Sequence, residues 1–168
     1  MKHRYILAID PSGAFHEGKG TTGWCLFDAA VEQTKEIGMI QAYKFETDCA
    51  YWRAHTDLLD RMRFDYHDVI VIIEDYLLYA HKATAQINSK FETSQLIGIL
   101  KLHLSSYKTP YKIRTAASVK KRWANYILIR KGYLTSKKGC FSVNGLKVNK
   151  HMLDALRHAV HEAAFYNN

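Results

Sequence analysis

The chain has 168 residues with 24 Lys plus Arg against 16 Asp plus Glu, a formal charge of +8, and 48% hydrophobic residues. This length and apolar content describe one globular domain over residues 1–168. The absence of any run of about 18 apolar residues excludes a membrane span, and Met1-Lys2-His3-Arg4 leads straight into an apolar run with no secretory cleavage pattern.

Tyr5 to Asp10 is an apolar run ending in an acid, followed by a glycine-rich stretch from Gly13 to Gly23, Trp24-Cys25-Leu26-Phe27, and Ile37 to Phe45. These read as three successive strands of a meander. Trp52, Leu59 and Met62 fall at helical spacing in a segment ending near Phe64. Val69 to Ile73 is an unbroken run of five β-branched residues closed by Glu74-Asp75, the pattern of a strand buried on both faces. Ser89-Lys90-Phe91-Glu92 has capping-box spacing and opens a helix carrying Leu96, Ile97, Leu100 and Leu104. After Pro110, Tyr111 to Thr115 predicts a short strand and Ala116 to Lys131 a basic helix closed by Gly132. Tyr133 to Val148 reads as a long, basic, glycine-dotted loop that orders on binding. Asn149 caps a last helix with the apolar stripe Leu153, Leu156, Val160 and Ala163. This order of elements implies an α/β sandwich around a mixed sheet.

The charge is concentrated. Between Thr93 and Leu153 there are 13 Lys plus Arg and no acid, which leaves 11 basic against 16 acidic residues elsewhere. Lys120, Lys121, Arg122, Arg130, Lys131, Lys137, Lys138, Lys147 and Lys150 alternate there with Trp123, Tyr126, Tyr133 and Phe141. Cations for phosphates beside aromatic faces for bases are the pattern of a nucleic-acid binder. Cys25, Cys49 and Cys140 are odd in number and widely spaced. They suit a reducing, cytoplasmic compartment and no zinc site of the C-x-x-C type.

Two features of the first loop bear on chemistry. Gly13 to Gly20 nearly matches the phosphate-binding G-x-x-x-x-G-K-[ST] pattern, but Gly20 replaces the required hydroxyl and a strand follows where that motif needs a helix. It is read as a glycine-rich turn. Asp10 and Glu74 each end a buried strand, where α/β sheets place ligands, and together they form a candidate site for a hard cation.

Ile6-Leu7-Ala8-Ile9-Asp10-Pro11 with Thr22-Gly23-Trp24, Val71-Ile72-Ile73-Glu74, and His151-Met152-Leu153-Asp154-Ala155-Leu156 together resemble the RuvC family of Holliday-junction resolvases. The resemblance implies an RNase H-like fold, with a central five-stranded mixed sheet flanked by helices. It also implies a homodimeric, structure-selective endonuclease that resolves four-way DNA junctions by paired nicking. In its terms Asp10, Glu74 and Asp154 are the catalytic acids, with His151 at the remaining metal-ligand position. They would hold two Mg²⁺ or Mn²⁺ ions about 4 Å apart. Lys120, beside Lys121 and Arg122, resembles the family lysine near the scissile phosphate. Tyr76 and Tyr79 are candidates for the aromatic that stacks on junction bases, although Leu77 holds the closest aligned position. Lys120, Lys121, Arg122, Lys137 and Lys138 are expected on the DNA. The helix from Ser89 to Ser106 is the expected dimer interface, and the short basic form suits a phage-type member acting in a bacterial host cytoplasm.

Periodicity by itself reads the face of the last helix that carries His151, Asp154 and His158 as solvated, with His158 and His161 at the surface. Three alternatives stand beside the resolvase reading: an RNase H-like nuclease acting on RNA or an RNA–DNA hybrid, a non-catalytic DNA-binding module, and a nucleotide phosphohydrolase using Lys19.

Overall fold

A computed structural model describes residues 3–76 and 91–166. The expected residues Leu77, Tyr79, Ser89 and Lys90 lie outside the described residues.

β1 (Tyr5–Asp10), β2 (Thr21–Asp28) and β3 (Gln33–Gln41) form an antiparallel meander, and α1 (Asp48–Asp65) crosses to β4 (Val69–Glu74). α2 (Glu92–Ser106) precedes β5 (Tyr111–Arg114). The strand order is β3-β2-β1-β4-β5, with β4 parallel to both β1 and β5. Thr47 caps α1 by accepting from the Ala50 N–H. α2 begins after Phe91, which takes a left-handed conformation without a side-chain cap.

The strand alternation divides the core. Ile6, Ala8, Cys25, Phe27, Ile70 and Ile72 point to one face and pack with the last helix, α5 (Lys150–Ala163). Leu7, Ile9, Leu26, Val71 and Ile73 point to the other, against Leu58, Leu59 and Met62 of α1 and Leu96, Leu100 and Leu104 of α2. Successive side chains of a strand face opposite ways, so β1 and β4 are apolar throughout because helices cover both faces. Each such buried aliphatic side chain is worth about 1.5–3 kcal/mol.

Two sequence expectations change in the basic segment. The single helix over Ala116–Lys131 is two short ones, α3 (Ala116–Lys120) and α4 (Asn125–Arg130). Trp123 turns into the core between them, and the Arg157 guanidinium donates from Nε to the Trp123 carbonyl and from Nη2 to Asn125 Oδ1. Burial of the indole and this capture of a freed carbonyl outweigh continued helix. Tyr133 to Val148 is likewise no irregular loop. It folds into a second sheet of β6 (Thr135–Lys137), β7 (Cys140–Val143) and β8 (Leu146–Lys147), seated through Leu134, Val143 and Val148.

All three cysteines are unpaired. Among the described residues no helix is long and apolar enough to cross a membrane.

Candidate metal centre

Because β1 and β4 are parallel neighbours with Ile9 opposite Ile73, their carboxyl ends bring Asp10 and Glu74 to the same level in the middle of the sheet. Asp154 arrives from α5. Gly23 allows that approach: β2 places it opposite Asp10, and a Cβ there would stand 2.1 Å from the His151 backbone carbon. One carboxylate oxygen from each of Asp10, Glu74 and Asp154 lies within 4.8 Å of the others.

Each acid has its own partner. His151 Nδ1 donates to Asp10 Oδ2 at 2.8 Å. Lys120 Nζ lies 2.8 Å from Asp154 Oδ2 and 4.0 Å from Glu74 Oε1. Arg157 binds the other Asp154 oxygen. His158 Nε2 donates to Glu74 Oε2 at 2.9 Å. Burial raises the Asp10 carboxyl above its ordinary range; the His151 hydrogen bond opposes this, and repulsion by Glu74 and Asp154 adds to it. The His151 imidazole is raised in turn, first by its hydrogen bond to Asp10, against burial. Burial would lower the Lys120 ammonium, but the hydrogen bond and charge of Asp154, with Glu74 and Asp10, outweigh it and hold the group protonated.

Three convergent carboxylates, with Asp10 lifted first by burial and further by repulsion from the other two, are a donor set matched to a hard divalent cation such as Mg²⁺ or Mn²⁺. A divalent ion held by Asp10, Glu74 and Asp154 would act as a Lewis acid on a bound oxygen and lower the pKa of a bound water.

The loop after Asp10 is fixed from beneath. Thr22 Oγ1 accepts from the Ser12 N–H at 3.0 Å and meets His55 Nε2 at 2.8 Å, while His55 Nδ1 donates to the Tyr51 carbonyl. The Tyr51 hydroxyl donates to the Ser12 carbonyl. Gly13 packs on the backbone at the start of α2, with its N–H on Thr93 Oγ1. The glycine-rich turn therefore serves the strand end, and Lys19 stands exposed beside Glu17.

No protein-family model matches the chain, and no curated protein matches it in sequence. Solved structures do. A structure described as T. thermophilus RuvC in complex with Holliday junction substrate aligns with TM-score 0.68 at 14% identity, covering 98% of this chain and 95% of that one. A second Thermus thermophilus RuvC structure aligns with TM-score 0.61 at 16% identity, over 97% and 95%. The chain has a RuvC-like fold. The five-stranded mixed sheet with flanking helices is the RNase H-like architecture that the sequence resemblance implied.

Within this RuvC-like fold, Asp10, Glu74, Asp154, His151 and Lys120 come together at one end of the sheet. Lys121 and Arg122 are exposed, the latter lying over the Trp123 and Phe165 rings. Tyr76 is half-buried against the core under α1 and α2. Lys137 and Lys138 are exposed at the β6–β7 turn.

The reading of this α5 face as solvated is corrected. His158, His161 and Asp154 are buried, and Asp154 pairs with Lys120 and Arg157. The face that periodicity reads as solvated is covered by β4, β5 and the α3–α4 segment, so its polar groups pair inward. Arg157 and His158 were missed as site residues for this reason. A signal existed: Asp154 and Glu162 are the only acids after Glu92, and both draw cations from the acid-free segment, Lys120 to Asp154 and Lys112 with Arg114 to Glu162.

Proposed function

We propose that the protein is a metal-dependent, structure-selective DNA endonuclease that resolves four-way junctions by hydrolysing phosphodiesters in paired strands. The observation that carries this reading is the convergence of Asp10, Glu74 and Asp154 at the carboxyl ends of β1 and β4. The RuvC-like fold supports it, since one neighbour sharing that fold was solved with a Holliday junction substrate.

In this reading Asp10, Glu74 and Asp154 hold two divalent ions, with His151 as a further ligand or as the group that orients Asp10. Lys120 supplies positive charge to the phosphate as charge develops in the transition state. Arg157 and His158 fix the rotamers of Asp154 and Glu74. Lys121 and Arg122, exposed next to Lys120, contact the flanking backbone. Two symmetric strands call for two sites, which a two-fold dimer presents. α2 exposes Leu102 on the outer surface and is the interface assigned to this dimer. The place of action is the cytoplasm, of a bacterial host if the protein is phage-encoded.

The test is incubation with labelled four-way junction, matched linear duplex and RNA–DNA hybrid, in Mg²⁺, Mn²⁺ or EDTA, beside Asp10→Asn. Metal-dependent paired nicks in the junction, absent from the variant, support a resolvase. Cleavage of the hybrid alone moves the substrate to RNA, and binding without cleavage in any metal leaves a DNA-binding module. Lys120→Ala should lower the rate at least about 100-fold, whereas Lys121→Ala or Arg122→Ala should act mainly on binding. The reverse pattern would remove Lys120 from its role.

A further inference from the structure

The second sheet is a preformed cationic ribbon. Lys137 pairs with Cys140 and Val143 with Leu146, so each connection has two residues. Both have positive φ throughout: 50° and 77° at Lys138 and Gly139, 49° and 80° at Asn144 and Gly145. This is the turn chemistry whose twist matches that of hairpin strands. Thr135 Oγ1 lies 2.7 Å from Ser142 Oγ across the strands. Leu134, Val143 and Val148 root the base in the core.

Register fixes where the two turns point. Asn144 Nδ2 donates to the Thr34 carbonyl on β3 at 2.8 Å. Thr34 is opposite Phe27, and Phe27 opposite Ile6, at the end of the sheet remote from the carboxylates. The chain then returns along β8, where the Val148 N–H donates to the Phe141 carbonyl. The next residue, Asn149, caps α5 beside Met39, which is level with Gly23 and Asp10. The Lys138–Gly139 turn, two to three residues further along the ribbon, therefore stands about 7–10 Å beyond Val148 on the carboxylate side.

Residues 135–140 are exposed, and no acid occurs from Leu134 to Asn149. Lysines on short edge strands commonly serve only to block edge pairing. Two features go further here. Lys137 and Lys138 sit on the turn itself, and Lys147 and Lys150 extend the charge toward the α5 N-terminus. Three clustered carboxylates repel a phosphate backbone, so a rigid cationic arm on the same side offsets that repulsion. A two-stranded ribbon also has the cross-section that a duplex major groove admits.

We propose that the β6–β7 ribbon inserts into a groove of the duplex arm beside the scissile phosphate and holds that arm against the carboxylate site. This rests on the nuclease reading. Lys137 and Lys138 each neutralise a phosphate across the groove, and Cys140 lies next to the bases or backbone of that arm.

Binding of a four-way junction and of linear duplex is measured by fluorescence anisotropy in EDTA, across 50–200 mM salt, for the wild type and Lys137→Ala/Lys138→Ala. The variant should bind both DNAs at least about tenfold more weakly, with a salt slope reduced by about 1.8. Independently, a photocrosslinker on Cys140 in a Cys49→Ser background should attach to duplex nucleotides within about one helical turn of the cut. Unchanged affinity and slope, or DNA binding without crosslinks from Cys140, would overturn the ribbon while leaving the nuclease reading intact. A wild-type protein that binds no DNA would remove both.

Discussion

His158, buried four residues after Asp154 on α5, donates from Nε2 to Glu74 Oε2 at 2.9 Å, so the last helix supports acids on two different elements. Its Nδ1 has no hydrogen-bond partner among the described residues, which leaves Glu74 as the anchor of the ring and the ring as the anchor of Glu74. His158→Leu keeps a side chain of similar size in this buried position while freeing the Glu74 rotamer. The expected result is a 10–100-fold loss of Mn²⁺ affinity, measured by calorimetry against the wild type.

Asp10→Asn should separate stability from metal binding. Burial, and repulsion by Glu74 and Asp154, oppose the charged form of Asp10, while an amide oxygen still accepts from His151. Without metal the variant should therefore melt at a higher temperature than the wild type. Added Mg²⁺ should raise the wild-type melting temperature and leave the variant's unchanged.

Gly23→Ala places a Cβ 2.1 Å from the His151 carbonyl carbon, a backbone atom that no rotamer change can move aside. The helix must lift from β2, at a cost of about 3 kcal/mol, the upper end for overpacking, because the clash is with backbone. Urea denaturation should show this loss, together with reduced metal affinity, because His151 and Asp154 move with the helix.

His55 gives the fold an acid limit. It is fully buried, and desolvation lowers its pKa from the ordinary 6.5 to about 4. The unfolded chain therefore binds a proton that the folded chain refuses. The stability this group confers is complete above pH 6.5 and is lost as pH falls toward 4, a decline on the order of 3 kcal/mol. His55→Gln, less stable at pH 7, should show a flatter profile across that window in urea titrations.

Glu162 ties α5 to β5 through Lys112 and Arg114. Burial opposes its charged form, but the hydrogen bonds and charges of those two partners prevail and lower the carboxyl. Its contribution is present above the usual glutamate range and lost as pH falls through the folded value. Glu162→Gln should cost about 1–2 kcal/mol at pH 7, discounted because Lys112 is half exposed. The difference from wild type should narrow as pH falls below the usual glutamate range.

Strand periodicity was legible because it is local. The all-apolar β1 and β4, each ended by an acid, located Asp10 and Glu74 and required helices on both faces. Asp154 was not legible from helix geometry, which turns its face to solvent; the family resemblance carried it. The break at Trp123 escaped because Ala116 to Lys131 has no helix-breaking residue, and what splits it is a guanidinium from residue 157. The second sheet escaped because its strands have only two to four residues, although Asn144-Gly145 is a turn signal in its own right.

Composition and pattern by themselves determined the alternation of strands and helices, the acid-free cationic segment and two acids at buried strand ends, because each depends on neighbours within a few residues. Tertiary structure alone decided which charges remain for a partner. Lys112, Arg114 and Lys120 pair with Glu162 and Asp154 once α5 lies across the sheet, while Lys137 and Lys138 stay exposed because the ribbon ends in solvent. A charge has the same sign everywhere in a sequence, but its partner and its solvation are set by which elements pack together.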